Sequence, residues 1–277
     1  MGSRMRVSVV IPVFNEAGMI GPCLDALLRQ TVAPDELVVV DNNSTDATVA
    51  ALAPYGDQVR LVREPRQGVQ HARTAGFDAA TGDVLGRIDA DTRVGPRWVE
   101  GLHTVFADPA IGAATGPVSY YDMRLPRLVG AGDRLLRWIC ARTPDGLDWL
   151  YGANMAVRAG AWRTVRNAVC HDPALHEDLD LGIHLYAAGR RIVYAPELAA
   201  GTSGRRIQVR RRDFRDYLLT TEHGIRTHDQ LTAPWAVQRA WLSSRLMLMA
   251  FHPLLLLHRL HPASARAGTV RVRPMDP

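Results

Sequence analysis

The chain has 277 residues, 47% of them apolar and 22% charged, which fits one sizeable α/β domain or two small ones and excludes a disordered or collagen-like chain. Its formal net charge is +5 and it contains no lysine, so every fixed side-chain cation is an arginine, a group that suits phosphate by presenting paired donors. The three cysteines, Cys23, Cys140 and Cys170, are far apart with no Cys-x-x-Cys pair. They support neither a zinc site nor a disulfide framework, and a reducing cytoplasm is the expected compartment. Residues 1–6 lack the apolar run of a signal peptide. The stretch 246–257 is interrupted by His252 and Pro253 and is shorter than the roughly 20 apolar residues a membrane span needs.

The first half alternates between two periodicities. Val7-Ser8-Val9-Val10-Ile11 is a β-branched run of the kind buried on both faces of a parallel sheet, and it is expected to end at Pro12. A helical pattern follows, with Ile20, Leu24, Leu27 and Leu28 on one face. Residues 37–40 read as a second strand, ending in Asp41-Asn42-Asn43-Ser44, a turn cluster able to cap a helix beginning near Asp46. A third strand is expected over 59–62, a helix over 68–80 and a fourth strand over 84–88. This order predicts a mostly parallel sheet with right-handed crossovers. After 111–117 the pattern loosens: a helix over 125–141, a strand over 151–157, a helix over 177–188 stopped by Gly189, and a short strand over 192–195. An arginine-dense stretch over 201–215 then leads into helices rich in Trp, Leu and Met. The division expected is an α/β domain over 5–215, a helical C-terminal extension over 216–263 and a loose tail over 264–277.

Ligands of such sheets bind beyond the carboxyl ends of the strands. Three of those ends carry acids or amides: Asn15 with Glu16, Asp41, and Asp89 with Asp91. Asp89-Ala90-Asp91 leaves a buried strand with two carboxylates able to converge on one divalent cation, and hard oxygen donors suit Mg²⁺ or Mn²⁺. Pro12-Val13-Phe14-Asn15-Glu16 and Asp41 place a carboxylate and an amide where the edge of a nucleobase could be read, although helix capping accounts for Asn15 and Ser44 as well. No glycine-rich dinucleotide fingerprint or phosphate loop occurs. In His176-Glu177-Asp178-Leu179-Asp180-Leu181 the acids crowd a helix start, where the macrodipole favours them. Asp178 fits a catalytic base if that helix start faces the cation.

These positions together resemble the family-2 glycosyltransferases, inverting enzymes of the GT-A fold that use nucleotide-sugar donors. The likeness runs, in order, through Pro12 to Glu16, Val39-Val40-Asp41-Asn42-Asn43-Ser44-Thr45-Asp46, the helix from Gly68 to Gly76 with Arg73, Asp89-Ala90-Asp91, Gly152-Ala153-Asn154 and Glu177-Asp178. The resemblance implies that Pro12, Val13, Asn15, Glu16 and Asp41 line a nucleoside pocket, usually for uridine. It implies Asp89 and Ala90 near the ribose, Gly68 or Arg73 near the base or phosphates, and Asp91 on a Mn²⁺ or Mg²⁺ ion. It further implies Gly152, Ala153, Asn154 and Glu177 about the sugar and acceptor, with Asp178 as general base. Many relatives carry a histidine after the strand matching 192–195; here the segment reads Glu197 to Arg206 without one, and Arg205 and Arg206 are expected to clamp the diphosphate instead.

Six arginines between Arg205 and Arg215, followed by Trp235, Trp241, Leu246, Met247, Met249 and Phe251, leave two readings open. One is a peripheral contact with anionic lipid at the inner face of the cell membrane and a lipid-linked acceptor; the other is core packing or a homodimer contact. Nucleic acid is not an expected partner. Two competing functions remain: a sugar nucleotidyltransferase, whose glycine-rich N-terminal loop is missing, and a catalytically idle nucleotide-sugar binder.

Overall fold

The computed structural model describes residues 4–123, 149–206 and 211–232, with positions 131, 242, 245 and 249. The helix expected over 125–141, all but one position of it, and the tail over 264–277 lie outside the described residues.

A mostly parallel seven-stranded sheet forms the centre. Its strands in chain order are β1 (Val7–Val13), β2 (Glu36–Asp41), β3 (Arg60–Arg63), β4 (Val84–Ile88), β6 (Ile111–Thr115), β8 (Asn154–Arg158) and β9 (Arg191–Tyr194). They lie in the order β3-β2-β1-β4-β8-β6-β9. β8 alone runs against its neighbours β4 and β6. A second sheet, β5-β10-β7, is built from β5 (Arg93–Val94), β7 (Val118–Tyr120) and β10 (Ala200–Thr202).

The helices are α1 (Ile20–Leu28), α2 (Val69–Ala79), α3 (Trp98–Val105), α4 (Ala159–Val165), α5 (Glu177–Ala187) and α6 (Arg211–Thr227). Alternation along the strands divides them between two layers. Val7, Val9, Ile11 and Val13 pack with Ile20, Leu24 and Leu27 of α1 and Trp98, Val99 and Leu102 of α3. Val10, Val38, Val40 and Leu85 face α2, α4 and α5 through Phe77, Trp162, Leu181 and Leu185. Leu28, expected on the apolar face of α1, is exposed.

Several boundaries differ from expectation for physical reasons. β1 continues through Pro12 to Val13. Its pairing with β4 stops at Val10 while β2 pairs on to Val13, so on the β4 side the missing proline N–H breaks no ladder bond. The helix expected near Asp46 is a 3₁₀ segment, Ala50–Gln58, with Pro54 inside and Gly56 at φ +47°. β8 begins at Asn154, because Tyr151 to Ala153 form the turn before it. α6 runs across position 215, where the C-terminal extension was expected to begin. No helix among the described residues is long and apolar enough to cross a membrane.

Gly76 sets how closely α2 approaches the sheet: a Cβ there would stand 2.3 Å from Val10 Cγ1 and 2.9 Å from Val40 Cγ2. Both valines are fully buried and stiff at χ1. Gly76→Ala is expected to destabilise the fold by about 1–3 kcal/mol through overpacking, outweighing the roughly 1 kcal/mol that alanine gains in helix propensity. The shift of the urea midpoint measures it.

Candidate active site

The ends of β1, β2 and β4 form one rim, and local hydrogen bonds shape its first part. Asn15 has φ +56° and Asn43 φ +64°, both in the left-handed region that asparagine tolerates. Asn15 Oδ1 accepts the Thr45 N–H at 2.8 Å and its own N–H donates to Ser44 Oγ at 3.1 Å. Asp41 Oδ1 accepts the Ser44 N–H at 3.1 Å. Asn42, buried, donates to the carbonyls of Glu64 and Arg66 and accepts the Gly68 N–H at 2.7 Å. Gly68 itself is at φ +133°, a conformation that favours glycine, and begins α2. The two asparagine-bearing loops are thereby locked to each other and to the start of α2.

The second part is ionic. Arg87, 2% exposed within β4, places Nη2 at 3.0 Å from Asp89 Oδ1 and 2.8 Å from Glu177 Oε1. Gly152 allows this, since a Cβ at that position would lie 1.8 Å from Arg87 Nη1. The Gly152 N–H donates to Asp178 Oδ2 at 2.7 Å, and the Leu179 N–H to Asp178 Oδ1 at 2.9 Å. Burial and the adjacent Glu177 carboxylate push the Asp178 carboxyl up, against the opposing pull of His176, the Gly152 N–H and Arg87. The raised carboxyl holds a proton more readily than an exposed aspartate.

The third part is carried in by the small sheet. β10 pairs with β5 and β7 and brings Thr202 to Arg205 over Asp91. Thr202 Oγ1 donates to Asp91 Oδ1 at 3.0 Å, and Arg205 Nη2 lies 2.9 Å from Asp91 Oδ2 while also pairing with Glu16. Tyr121 donates to the Asp91 carbonyl at 2.9 Å. Burial raises the Glu16 carboxyl, Arg205 opposes the rise, and Asp91 and Asp89 add to it. Glu16, Asp89 and Asp91 therefore share one electrostatic environment. All three offer oxygen donors, and Glu16 Oε2 is buried without a hydrogen-bond partner. Carboxylate oxygens are donors of the type that suits a hard divalent cation such as Mg²⁺ or Mn²⁺.

Some expected site residues lie behind the rim. Arg73 is fully buried and donates from Nη1 to the Glu177 carbonyl, so it holds the start of α5 and presents no surface to a base or phosphate. Asn154, expected beside the sugar, is also fully buried. Its amide donates to the carbonyls of Pro117 and Leu198, and its Oδ1 accepts the Trp98 indole N–H at 2.8 Å. Ala153 is buried and accepts the Thr92 hydroxyl through its carbonyl. Pro12 and Asp41 lie at the rim and Val13 is buried beneath it; Ala90 is buried between its two aspartates. The side chain of Arg206 lies outside the described residues. Arg87, Thr202 and Tyr121 escaped the sequence reading. The available signal for Arg87 was a lone charge inside an otherwise apolar buried strand, two residues before Asp89.

A family model described as Glycosyl transferase family 2 matches residues 8–156, more than half of the chain, and one described as Glycosyl transferase family group 2 matches residues 87–264. An N-acetylglucosaminyltransferase of Rhizobium leguminosarum bv. viciae is 28% identical over 218 residues, 71% of this chain and 50% of that protein. Validoxylamine A glucosyltransferase of Streptomyces hygroscopicus subsp. limoneus is 35% identical over 127 residues, 43% of this chain and 28% of that protein. The chain spans half or less of the length of the curated relatives it matches. Among solved structures, the mannosyltransferase PcManGT from Pyrobaculum calidifontis, in complex with GDP-Man and Mn²⁺, superimposes with TM-score 0.65 at 21% identity, over 97% of this chain and 77% of that one. S. aureus TarS 1–349 in complex with UDP gives 0.59 at 17%, over 80% and 65%. At these identities the likeness is one of fold.

Arg87→Leu leaves Asp89 and Glu177 without the cation between them. Breaking a buried ion pair by removing one partner destabilises by about 3–5 kcal/mol, and equilibrium denaturation of this variant is expected to show a loss of that size.

Proposed function

The chain belongs to glycosyl transferase family 2, and on that premise we propose that it moves a sugar from a nucleoside diphosphate donor to an acceptor hydroxyl with inversion at the anomeric carbon. One linkage supports the proposal above all. Arg87 ties Asp89, at the end of β4, to Glu177, the residue beside Asp178, and Gly152, which passes close to that guanidinium, donates its N–H to Asp178. The proposed base and the proposed donor site thus stand on one rim.

In this reading Pro12, Asn15, Glu16 and Asp41 form the nucleoside pocket. The Asp41 carboxylate suits an imide N–H, a group that uracil and guanine both carry. Asp178 takes the proton of the acceptor hydroxyl as that oxygen attacks, its two carboxylate oxygens oriented by the Gly152 and Leu179 N–H groups. The bond from the anomeric carbon to the diphosphate oxygen breaks in the same displacement, and Arg205 presents guanidinium donors to the departing diphosphate, with Arg206 beside it in the chain. Asp91 would hold a Mg²⁺ or Mn²⁺ ion, whose chemistry would be Lewis-acid neutralisation of that diphosphate, while Asp89 lies towards the ribose. Gly152 and Glu177 border the space for sugar and acceptor.

Two measurements test the assignment. Asp178→Asn is expected to lower turnover by about 10²–10⁴-fold while donor affinity stays unchanged; turnover equal to that of the parent protein removes Asp178 from the role. Arg205 neutralises Asp91 and Glu16, so Arg205→Ala should move two affinities in opposite directions. The bare carboxylates bind Mn²⁺ more tightly, whereas loss of a charge-assisted hydrogen bond of about 1.5–3 kcal/mol weakens nucleoside diphosphate binding by roughly 10- to 100-fold. Calorimetric titration of each ligand alone reads both.

A further inference from the structure

Away from the rim, four side chains from three segments meet in the packing between α5 and α6: Cys170 from the loop after α4, Asp180 and His184 one turn apart on α5, and His228 just past α6. One potential ligand atom from each lies within 4.8 Å of all the others. Cys170 Sγ is 3.4 Å from His228 Nε2, which is 3.2 Å from Asp180 Oδ1, which is 3.4 Å from His184 Nε2. A tetrahedral ion with ligand bonds of about 2.0–2.3 Å separates its ligand atoms by about 3.3–3.6 Å. These three separations, 3.2–3.4 Å, come close to that spacing, and all four atoms fall within 4.8 Å of one another.

The surrounding hydrogen bonds aim these atoms inward. His228 Nδ1 lies 2.8 Å from the Gly224 carbonyl. A carbonyl can only accept, so Nδ1 carries a hydrogen and Nε2 is the nitrogen that faces the cluster, the orientation seen around metal-bound histidines. Asp180 Oδ2 accepts the Cys170 N–H at 3.0 Å, which leaves Oδ1 facing the other three groups. Asp180 is 2% and His228 7% exposed. Asp180 Oδ1 and His184 Nε2 are buried with no hydrogen-bond partner. The two atoms stand 3.4 Å apart, at ion-pair distance but without a hydrogen bond, and a cation between them would meet both.

We infer that Cys170, Asp180, His184 and His228 form a closed four-ligand site for a borderline-soft divalent cation of the zinc class. One thiolate and one carboxylate balance its two charges, and the sulfur and imidazole donors discriminate against Mg²⁺ and Mn²⁺, which the all-oxygen rim suits. With all four positions taken by protein the ion is structural. It clamps the end of α6 to the first two turns of α5, the helix that begins beside Asp178. The site does not depend on the transfer chemistry proposed above.

The test uses the full chain without a histidine tag, loaded with Zn²⁺, desalted and subjected to elemental analysis. About one zinc per chain is expected to remain. Exchange for Co²⁺ is expected to give the visible bands of a tetrahedral centre with a sulfur-to-cobalt charge-transfer band, which Cys170→Ser abolishes. The parent chain decides the matter even if that variant does not fold. Loss of all zinc on desalting overturns the inference and leaves a hydrogen-bonded polar cluster. Zinc retained with no sulfur-to-cobalt band overturns it equally, since the ion then sits elsewhere.

Discussion

A guanidinium buried inside the central sheet is the constraint on which the site depends. Arg87 occupies a strand whose other residues are all buried, and an arginine there is tolerable only with its charge matched. Asp89 and Glu177 provide that match at one nitrogen, Nη2. The requirement runs both ways. Asp89, just past β4, and Glu177, at the start of α5, are brought together by their shared contact with Arg87 Nη2. The turn before β8 must also pass close to the guanidinium, which a side chain at Gly152 would obstruct. From that turn comes the N–H that orients Asp178.

Arg205 repeats the device nearer to solvent, with a different consequence. It lies between Glu16 and Asp91 on a short segment held by the small sheet. Arg87 is 3% exposed at its side chain, whereas Arg205 is 31% exposed. A buried pair keeps its geometry; a partly solvated one can exchange partners at modest cost. The rim therefore combines a fixed cation, which organises the acids, with a second, partly solvated one paired to Glu16 and Asp91.

Much of this was legible in the residues. β-Branched runs, the helical spacing of α1, and acids recurring after β1, β2 and β4 announced the layered sheet and the rim on which those acids stand. Arg73 and Asn154 show where such reading fails. Each belongs to a motif and is of a type common in active sites, yet each is fully buried and serves main-chain carbonyls. An arginine or asparagine that satisfies the core has the same local pattern as one that touches a ligand, because burial is a property of the packed molecule. The Cys170 cluster failed in the opposite direction. Its cysteine and His228 are 58 residues apart, with no spacing that a metal motif would show.

The sequence by itself determined the period of each element, the chemical character of each strand end and the order of the motifs, because these follow from short-range sterics and from which residue types stand beside one another. Only the tertiary structure decided which charges face each other. Arg87 meets Glu177 across ninety positions of chain, Arg205 meets Glu16 across nearly the whole domain, and the ligand set around Asp180 assembles from three segments. Coulomb interaction falls with distance in space and takes no account of distance along the chain, so those pairings came into view once the strands and helices were packed.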